Sequence, residues 1–276
     1  MRQVIVTRPA REAAHWVQQL QAKGLQAVAL PLIAIGPCNE VAAQQAIARA
    51  RARLTHYRAV MFVSANAVVY FFESNQPVAL INKALTATII RAWAPGPGTA
   101  RALLSAGFLP SDIDSPAADA LQFDSEALWQ QVAQQVQPND KVLIVRGRSG
   151  DTSNALIATT DQAIQGTGRD WLARQIEAAG AQVDFVVAYE RKASTLSPTE
   201  IMLAQRAAQD GSLWLLSSSE AVAYLAKALP MQSWAHAQAL VTHPRIAQAA
   251  RDLGFRTVQE CRPALNDVIA SIESTA

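Results

Sequence analysis

A few short stretches carry side chains able to hold an anion. They are Thr7-Arg8, Ser64-Ala65-Asn66, Gly96 to Thr99 (with Gly98), Arg146-Gly147-Arg148, Ser217-Ser218-Ser219 and Thr242-His243. Each follows an apolar run of strand type. Each therefore falls where open α/β sheets bind ligands, beyond the carboxyl ends of the strands, where helix N-termini point free N–H groups outward. Guanidinium groups fork onto carboxylates, and hydroxyls and main-chain amides add hydrogen bonds. No nucleophile–base–acid set accompanies them. Plainer readings stand beside this one. Ser64, Thr99 and the serines 217–219 also suit helix caps, and a cap can itself offer its neighbours' N–H groups to an anion. Arg8, between a strand and Pro9, also suits a surface salt bridge. Gly147 beside Arg146 lets backbone approach a ligand. His243, ahead of Pro244, also reads as a simple residue at a helix start.

Composition narrows the partners. The chain has 276 residues, half of them hydrophobic and 17% charged, with a net charge of +2. This length suffices for two domains of common size. The mild positive charge lacks the dense Lys/Arg stripe of nucleic-acid binders and fits acidic small molecules if the arginines gather. Cys38 and Cys261 form no CxxC, which points to free thiols and a cytoplasmic protein. The start, Met-Arg-Gln-Val-Ile-Val-Thr-Arg-Pro, reads as a first strand and not a signal peptide. No apolar run is long enough to span a bilayer. The histidines, His15, His56, His236 and His243, show no metal-ligand spacing.

Strands and helices alternate throughout. Strand-type runs are Val4 to Thr7, Val28 to Ile35, Ala59 to Val63, Thr88 to Trp93, Lys141 to Val145, Val183 to Arg191, Leu213 to Leu216, Ala239 to Thr242 and Thr257 to Gln259, with a weak signal over 111–116. Helical spacing of apolar residues fills the gaps, for example Ala13, Trp16, Val17 and Leu20. Trp16, Trp171, Tyr70 and Tyr224 fall on the apolar faces and read as packing. Gly24, Gly107, Gly180 and Gly254 suit helix ends. Thr167 to Asp170, Ser197 to Glu200 and Ser217 to Glu220 read as capping boxes, and Asp124 as a cap. The pattern predicts parallel sheets covered by helices on both faces. No GxGxxG and no GxxxxGK[ST] follows any strand, which argues against dinucleotide and ATP binding.

The halves resemble each other at a spacing of roughly 150 residues, the distance of duplicated domains. Val4 to Arg8 matches Leu143 to Gly147, and Trp16 to Gly24 matches Trp171 to Gly180. Ser64 to Tyr70 matches Ser218 to Tyr224, and Pro97 to Phe108 matches Pro244 to Phe255. The stretches after Gly24 and Gly180 are longer than a sheet strand needs. Both can leave their sheet as extended linkers, near 30–36 and 184–191. The expected domains are then 1–35 with 190–276, and 36–189. The linker Val183 to Arg191 ends polar, in Tyr189, Glu190 and Arg191, and Glu190 and Arg191 read as solvated hinge residues.

In this order the motifs resemble those of the uroporphyrinogen-III synthase family. The resemblance covers nearly the whole chain. It rests on Val6-Thr7-Arg8-Pro9, Leu30-Pro31-Leu32-Ile33, Phe62 to Val68, Pro95 to Ala100, Asp124 to Leu128, Val145-Arg146-Gly147, Val187 to Arg191, Ser217-Ser218-Ser219 and Thr242 to Ala247, which includes Arg245. It implies two flavodoxin-like domains with parallel sheets, joined by a two-stranded linker. It also implies a reaction without metal or organic cofactor. Linear hydroxymethylbilane loses its hydroxyl as water and closes with inversion of the terminal ring, through a spirocyclic intermediate. The substrate carries a carboxylate on every pyrrole, so the stretches above become its expected contacts from two lobes. By the same resemblance Tyr189 is the expected catalytic residue, since a phenol can donate to a leaving oxygen. A tyrosine packed on the hinge is the alternative. The loop from Arg148 to Gly168 is longer than the family usually carries, and reads as an insertion in preference to a lid. Hand-over from hydroxymethylbilane synthase, a monomer, and no nucleic-acid or membrane partner are also expected.

Two other functions are compatible with such an architecture. One is a non-catalytic two-lobed protein that closes on a small anion. The other is a two-domain glycosyltransferase, which lacks its nucleotide signature here.

Overall fold

The computed structural model describes residues 2–72, 90–117, 123–149 and 169–274. The expected cap at Thr167, the first residues of the strand expected at Thr88 to Trp93, and 150–168 of the long loop lie outside them. The chain divides into two compact units: Met1–Ala34 with Lys192–Ala276, and Ile35–Arg191.

The first unit carries a parallel sheet. Its strands are β1 (Val4–Val6), β2 (Ala27–Ala29), β9 (Leu213–Leu216), β10 (Gln238–Val241) and β11 (Thr257–Glu260), in the order β11-β10-β9-β1-β2. Alternation along the strands sends Val4, Val6, Leu213 and Leu215 to one face. There they pack on Ala13 and Leu20 of helix α1 (Ala10–Ala22) and on Val268, Ile269 and Ile272 of the C-terminal helix Leu265–Glu273. Trp214 points to the other face and meets the rings of Trp234 and Phe255. Helices cover both faces because every strand residue of β1, β9 and nearly all of β10 is apolar and buried.

The second unit carries β3 (Ile33–Pro37), β4 (Ala59–Phe62), β5 (Arg91–Trp93), β6 (Ile113–Asp114), β7 (Lys141–Ser149) and β8 (Gln182–Ala193), in the order β3-β8-β7-β4-β5-β6. The pairs from β8 to β6 are parallel. Val60, Phe62, Leu143 and Val145 share a core with Ile47 and Ala50 of helix α2 (Val41–Ala52) and with Val68 and Phe71 of helix α3 (Ala65–Phe72). Ala59, Met61, Val142 and Ile144 face Leu128 and Val132 of helix Ser125–Val132 on the other side. A fully buried Val, Leu, Ile or Phe contributes about 1.5–3 kcal/mol over an exposed one, so these double-sided strands hold the sheet.

Edge to edge, β2-β1-β9-β10-β11 corresponds to β8-β7-β4-β5-β6. This is the flavodoxin-type arrangement. In the second unit the β7, β8 pair comes last along the chain instead of first, and β3 is added beside β8. The segments matched by the internal repeat occupy these equivalent places.

Several local expectations change. Val28 to Ile35 is not one strand: β2 and β3 belong to different sheets, with Leu30-Pro31-Leu32 between them, and proline is unsuited to a sheet interior. The capping box at Ser197 is present, whereas at 217–220 the cap is Ser218, which accepts the Glu220 N–H, while Glu220 itself accepts the Tyr224 hydroxyl. Gly24, Gly107, Gly180 and Gly254 all take positive φ, as helix-ending glycines do.

Candidate active site

At the carboxyl edge of the second sheet, Tyr189 sits directly across from Gly147. β7 and β8 run in register up to Arg146 opposite Val187, and then Gly147 opposes Tyr189, leaving Ala188 as an extra residue. Such a bulge shifts the next side chain to the other face. Val186 and Ala188 face the Phe62 side of the sheet, and the bulge turns Tyr189 to that side too. Gly147 leaves the ring its place: a Cβ there would lie 2.3 Å from the Tyr189 Cζ. Tyr70 stacks on the ring from helix α3, with centroids 6.0 Å apart, and its hydroxyl donates to the Ile35 carbonyl at 3.0 Å. Tyr189 is therefore only 2% exposed.

The Tyr189 hydroxyl is 3.0 Å from the Ser64 Oγ, and Ser64 accepts the Ala67 N–H at 3.2 Å as the cap of helix α3. Ser64 thus caps helix α3 and meets the Tyr189 hydroxyl in one arrangement. A hydroxyl donates one hydrogen bond and accepts two. With its acceptor side on Ala67, Ser64 can donate to the phenol oxygen. The phenol hydrogen is then left for a ligand. Ser64, Ala65 and Asn66 are partly exposed at this edge, whereas the tyrosine ring is covered.

The other expected residues of this unit are spread more widely. Arg146 alternates to the opposite face from Gly147. It is buried there, with its guanidinium 4.3 Å from the centre of the Phe185 ring. Thr99 is buried within helix Pro97–Ser105, and Gly98 is exposed in its first turn.

Glu190 contradicts its reading as a solvated hinge residue. It is 5% exposed, accepts the Arg148 Nε at 3.1 Å and accepts the Cys38 thiol at 3.2 Å. Arg148 also forks onto Glu40, at 2.8 and 2.6 Å. This network ties the ends of β7 and β8 to the segment after β3. Glu40 holds the Arg148 guanidinium well above its usual range, and Arg148 in turn lowers the Glu40 carboxyl. Burial, then the bond to Glu190, pushes the Cys38 thiol up. Nothing in the spacing announced it, although an arginine directly after the Arg146-Gly147 pair was its one visible sign.

In the first unit, the carboxyl ends of β1, β9 and β10 border a groove lined by Arg8, Trp16, Ser217, Thr242 and Cys261 over apolar residues. Arg8, Ser217 and Thr242 were expected to converge and do. Trp16, read from the sequence as packing alone, also lines the groove, under the Arg8 guanidinium at 4.0 Å. Arg8 bonds Glu12 at 3.0 Å as well, so its charge is partly spoken for. Thr7 is buried and donates to the Leu215 carbonyl at 2.6 Å, which joins β1 to β9 at this edge. Ser218 caps helix Ser219–Ala228, and Ser219 is exposed in its first turn. His243 caps helix Pro244–Leu253, its Nδ1 accepting the Arg245 N–H at 3.1 Å, and Arg245 is exposed. That bond requires an unprotonated Nδ1. Burial raises the Cys261 thiol above its ordinary range.

Among the described residues, no three His, Cys, Asp or Glu side chains converge to hold a metal ion. No helix among them is long and apolar enough to cross a membrane.

Comparison with known proteins places this geometry. A family model described as uroporphyrinogen-III synthase HemD matches residues 14–270. The crystal structure of uroporphyrinogen-III synthetase from Helicobacter pylori superposes with a TM-score of 0.60 at 16% identity, over 100% of both chains. That of a mutant uroporphyrinogen III synthase from Thermus thermophilus gives 0.51 at 15% identity, over 100% of this chain and 98% of that one. At such identities the structures speak for the fold, and the family match over most of the sequence decides the rest: the chain belongs to the uroporphyrinogen-III synthase family.

Proposed function

We propose that this chain, as a hydro-lyase, carries out the family's reaction with the Ser64–Tyr189 pair assisting departure of water. Hydroxymethylbilane loses its terminal hydroxyl, and the resulting electrophilic carbon is attacked by the substituted carbon of the last ring. A spirocyclic intermediate forms, and its rearrangement inverts that ring to give uroporphyrinogen III. The sequence is redox-neutral. The C–O bond breaks and water leaves with a proton, and the substituted carbon of the last ring bonds to the freed carbon. Its bond to the neighbouring methylene bridge then breaks, and that bridge carbon bonds to the ring's other α-carbon, which gives up its proton.

The single observation that supports the chemistry most is the 3.0 Å contact of the Tyr189 hydroxyl with the Ser64 Oγ, which already accepts the Ala67 N–H and so has its own hydrogen free to donate. A phenol that receives a hydrogen bond on its oxygen becomes a better donor to a leaving hydroxyl. The helix α3 N-terminus behind Ser64 favours negative charge developing on that phenol. Arg8, Ser217, Thr242, His243 and Arg245 serve the substrate carboxylates at the carboxyl edge of the first sheet. Ser64 and the amides at 64–66, with Gly98 and Thr99, do so in the second. Arg146, Gly147, Ser218 and Ser219 act mainly by shaping these edges. Control of geometry supplies the selectivity, and well-oriented intramolecular attack gains several kcal/mol over an unguided one.

The remaining expectations belong to the same reading: a monomer, a cytoplasmic setting, and receipt of the bilane from hydroxymethylbilane synthase, because a substrate with a good leaving group closes readily when free. Incubation with hydroxymethylbilane, with the products resolved as isomer III or isomer I, tests the function. Exclusive isomer I at the uncatalysed rate would leave a non-catalytic anion binder.

A further inference from the structure

A large concavity of the second unit lies at the opposite end of its sheet from Tyr189. It is a cavity of about 680 Å³ beside the amino-terminal ends of β4, β7 and β8. Its cationic wall is formed by Arg53, Arg58 and Lys141, with Thr55 and Asn139 as further donors. The local fold turns these groups outward. Leu54 is buried at the start of a 3-10 turn, Leu54–His56, which leaves Arg53, Thr55 and His56 exposed around it. Asn139 takes a left-handed φ of 71°, and its N–H donates to the Gly180 carbonyl at 2.9 Å, fixing the entry of Lys141 into β7.

The charges in the cavity are unevenly engaged. Asp140 accepts the Gln137 N–H at 2.9 Å, and Asp184 accepts the Tyr57 hydroxyl at 2.9 Å. Arg58 uses only its Nε, on the Gln135 carbonyl at 3.2 Å. Among the described residues, the Arg53 and Lys141 side chains have no hydrogen-bond or ion-pair partner. Each acidic group holds one neighbour on a single oxygen and keeps acceptor capacity, while the cations still have donors to give. The volume falls in the range of small-molecule sites and far exceeds a bare inorganic anion. The lining is polar, with Asp184 and Asp140 able to accept from a hydroxylated body once the anionic group is held.

We propose that this cavity is a second ligand site, for a small phosphomonoester bearing hydroxyl groups, with Arg53, Arg58 and Lys141 on the phosphate. Guanidinium groups match phosphate oxygens in a bidentate fork, and a lysine adds a compact charge. The site is separate from the synthase chemistry and does not depend on it.

Isothermal titration of the full chain with glucose 6-phosphate and with inorganic phosphate, at constant ionic strength, tests it. Both should bind saturably, the sugar phosphate more tightly. Arg53→Ala with Lys141→Ala should weaken both by at least about tenfold, since each removes charge-assisted hydrogen bonds. These side chains are exposed, and thermal unfolding checks that the variant is folded. A charge-matched control, Arg11→Ala with Lys23→Ala, should keep the parent affinity. Absence of saturable binding, or binding that survives the Arg53/Lys141 change, overturns the proposal, as does equal weakening by the control.

Discussion

Gly147 and Tyr189 face each other across β7 and β8, and the glycine is what lets the tyrosine lie down: a methyl group at 147 would fall 2.3 Å from the ring. The ring is held by backbone on one side and by Tyr70 on the other. Gly147→Ala should cost about 1–3 kcal/mol as an overpacked contact and reduce activity by displacing the hydroxyl from Ser64. Tyr189→Ala alone should cost about 3–5 kcal/mol as a cavity. Combined, the two should cost clearly less than their sum, because the new methyl enters the space the ring leaves. Chemical denaturation of the set measures the coupling, and strict additivity would count against the contact.

The Arg148 network predicts an acid-side loss of stability. Glu40 is held below its ordinary pKa of 4.5 by the Arg148 guanidinium. A carboxyl with a depressed folded pKa stabilises fully above its unfolded value, and that contribution is lost as pH falls through the folded one. The parent should therefore lose stability on acidification below about pH 4.5, and Glu40→Gln should show a flatter profile there. Denaturation midpoints between neutral pH and the acid limb compare the two, and superimposable profiles would remove Glu40 from the account.

Glu190→Gln should be more damaging than Glu40→Gln. Glu190 is buried, and removing its charge leaves Arg148 and the Cys38 thiol without their shared carboxylate. Arg148 keeps Glu40 and reaches solvent, so the loss should be about 1–2 kcal/mol, below that of a fully buried pair. Thermal unfolding reads it. The Cys38 thiol should also react faster with a thiol reagent as the β8 end loosens, a change that a surface carboxylate would not produce.

Tyr57 offers a spectroscopic check on the opposite sheet end. Burial and the bond to Asp184 push its hydroxyl up to about 12. A raised folded pKa means stabilisation that is complete below the ordinary value of 10 and is lost as pH rises from there toward 12. Ultraviolet titration should show a late tyrosine step that Tyr57→Phe removes and Asp184→Asn shifts down.

Much of the fold was legible because short continuous apolar runs, helix caps and terminal glycines each act through local geometry. The run Ala59 to Phe62 is such a signal, as is Asp124, whose carboxylate accepts the Glu126 and Ala127 N–H groups. The carboxyl-edge position of Ser64, Ser217 and Thr242 followed from their place directly after such runs. What stayed hidden depends on register between strands distant in sequence. The bulge at Ala188 decides which face Tyr189 takes, and it exists only in the pairing of β8 with β7. Glu190 looked solvated because its partners, Cys38 and Arg148, are remote in the chain. The position of Arg146 was hidden too: alternation sends it to the opposite face from Gly147, onto Phe185.

Arg8 tests the share of binding borne by the first unit. Its guanidinium is divided between Glu12 and the Trp16 ring, and it borders the groove with Ser217 and Thr242. Arg8→Ala should raise KM several-fold, with kcat and thermal stability little changed, since an exposed pair contributes at most about 1 kcal/mol to folding. A fall in kcat at unchanged KM would place Arg8 in the chemical step instead.

The most direct measurement is the single-turnover rate of isomer III formation by Tyr189→Phe. The phenylalanine keeps the ring on Gly147 and under Tyr70, so folding should hold, while loss of the hydroxyl should slow ring closure by at least about tenfold and let isomer I appear. Full activity in Tyr189→Phe, with Arg8→Ala abolishing turnover, would contradict the assignment of the leaving-group donor to this residue.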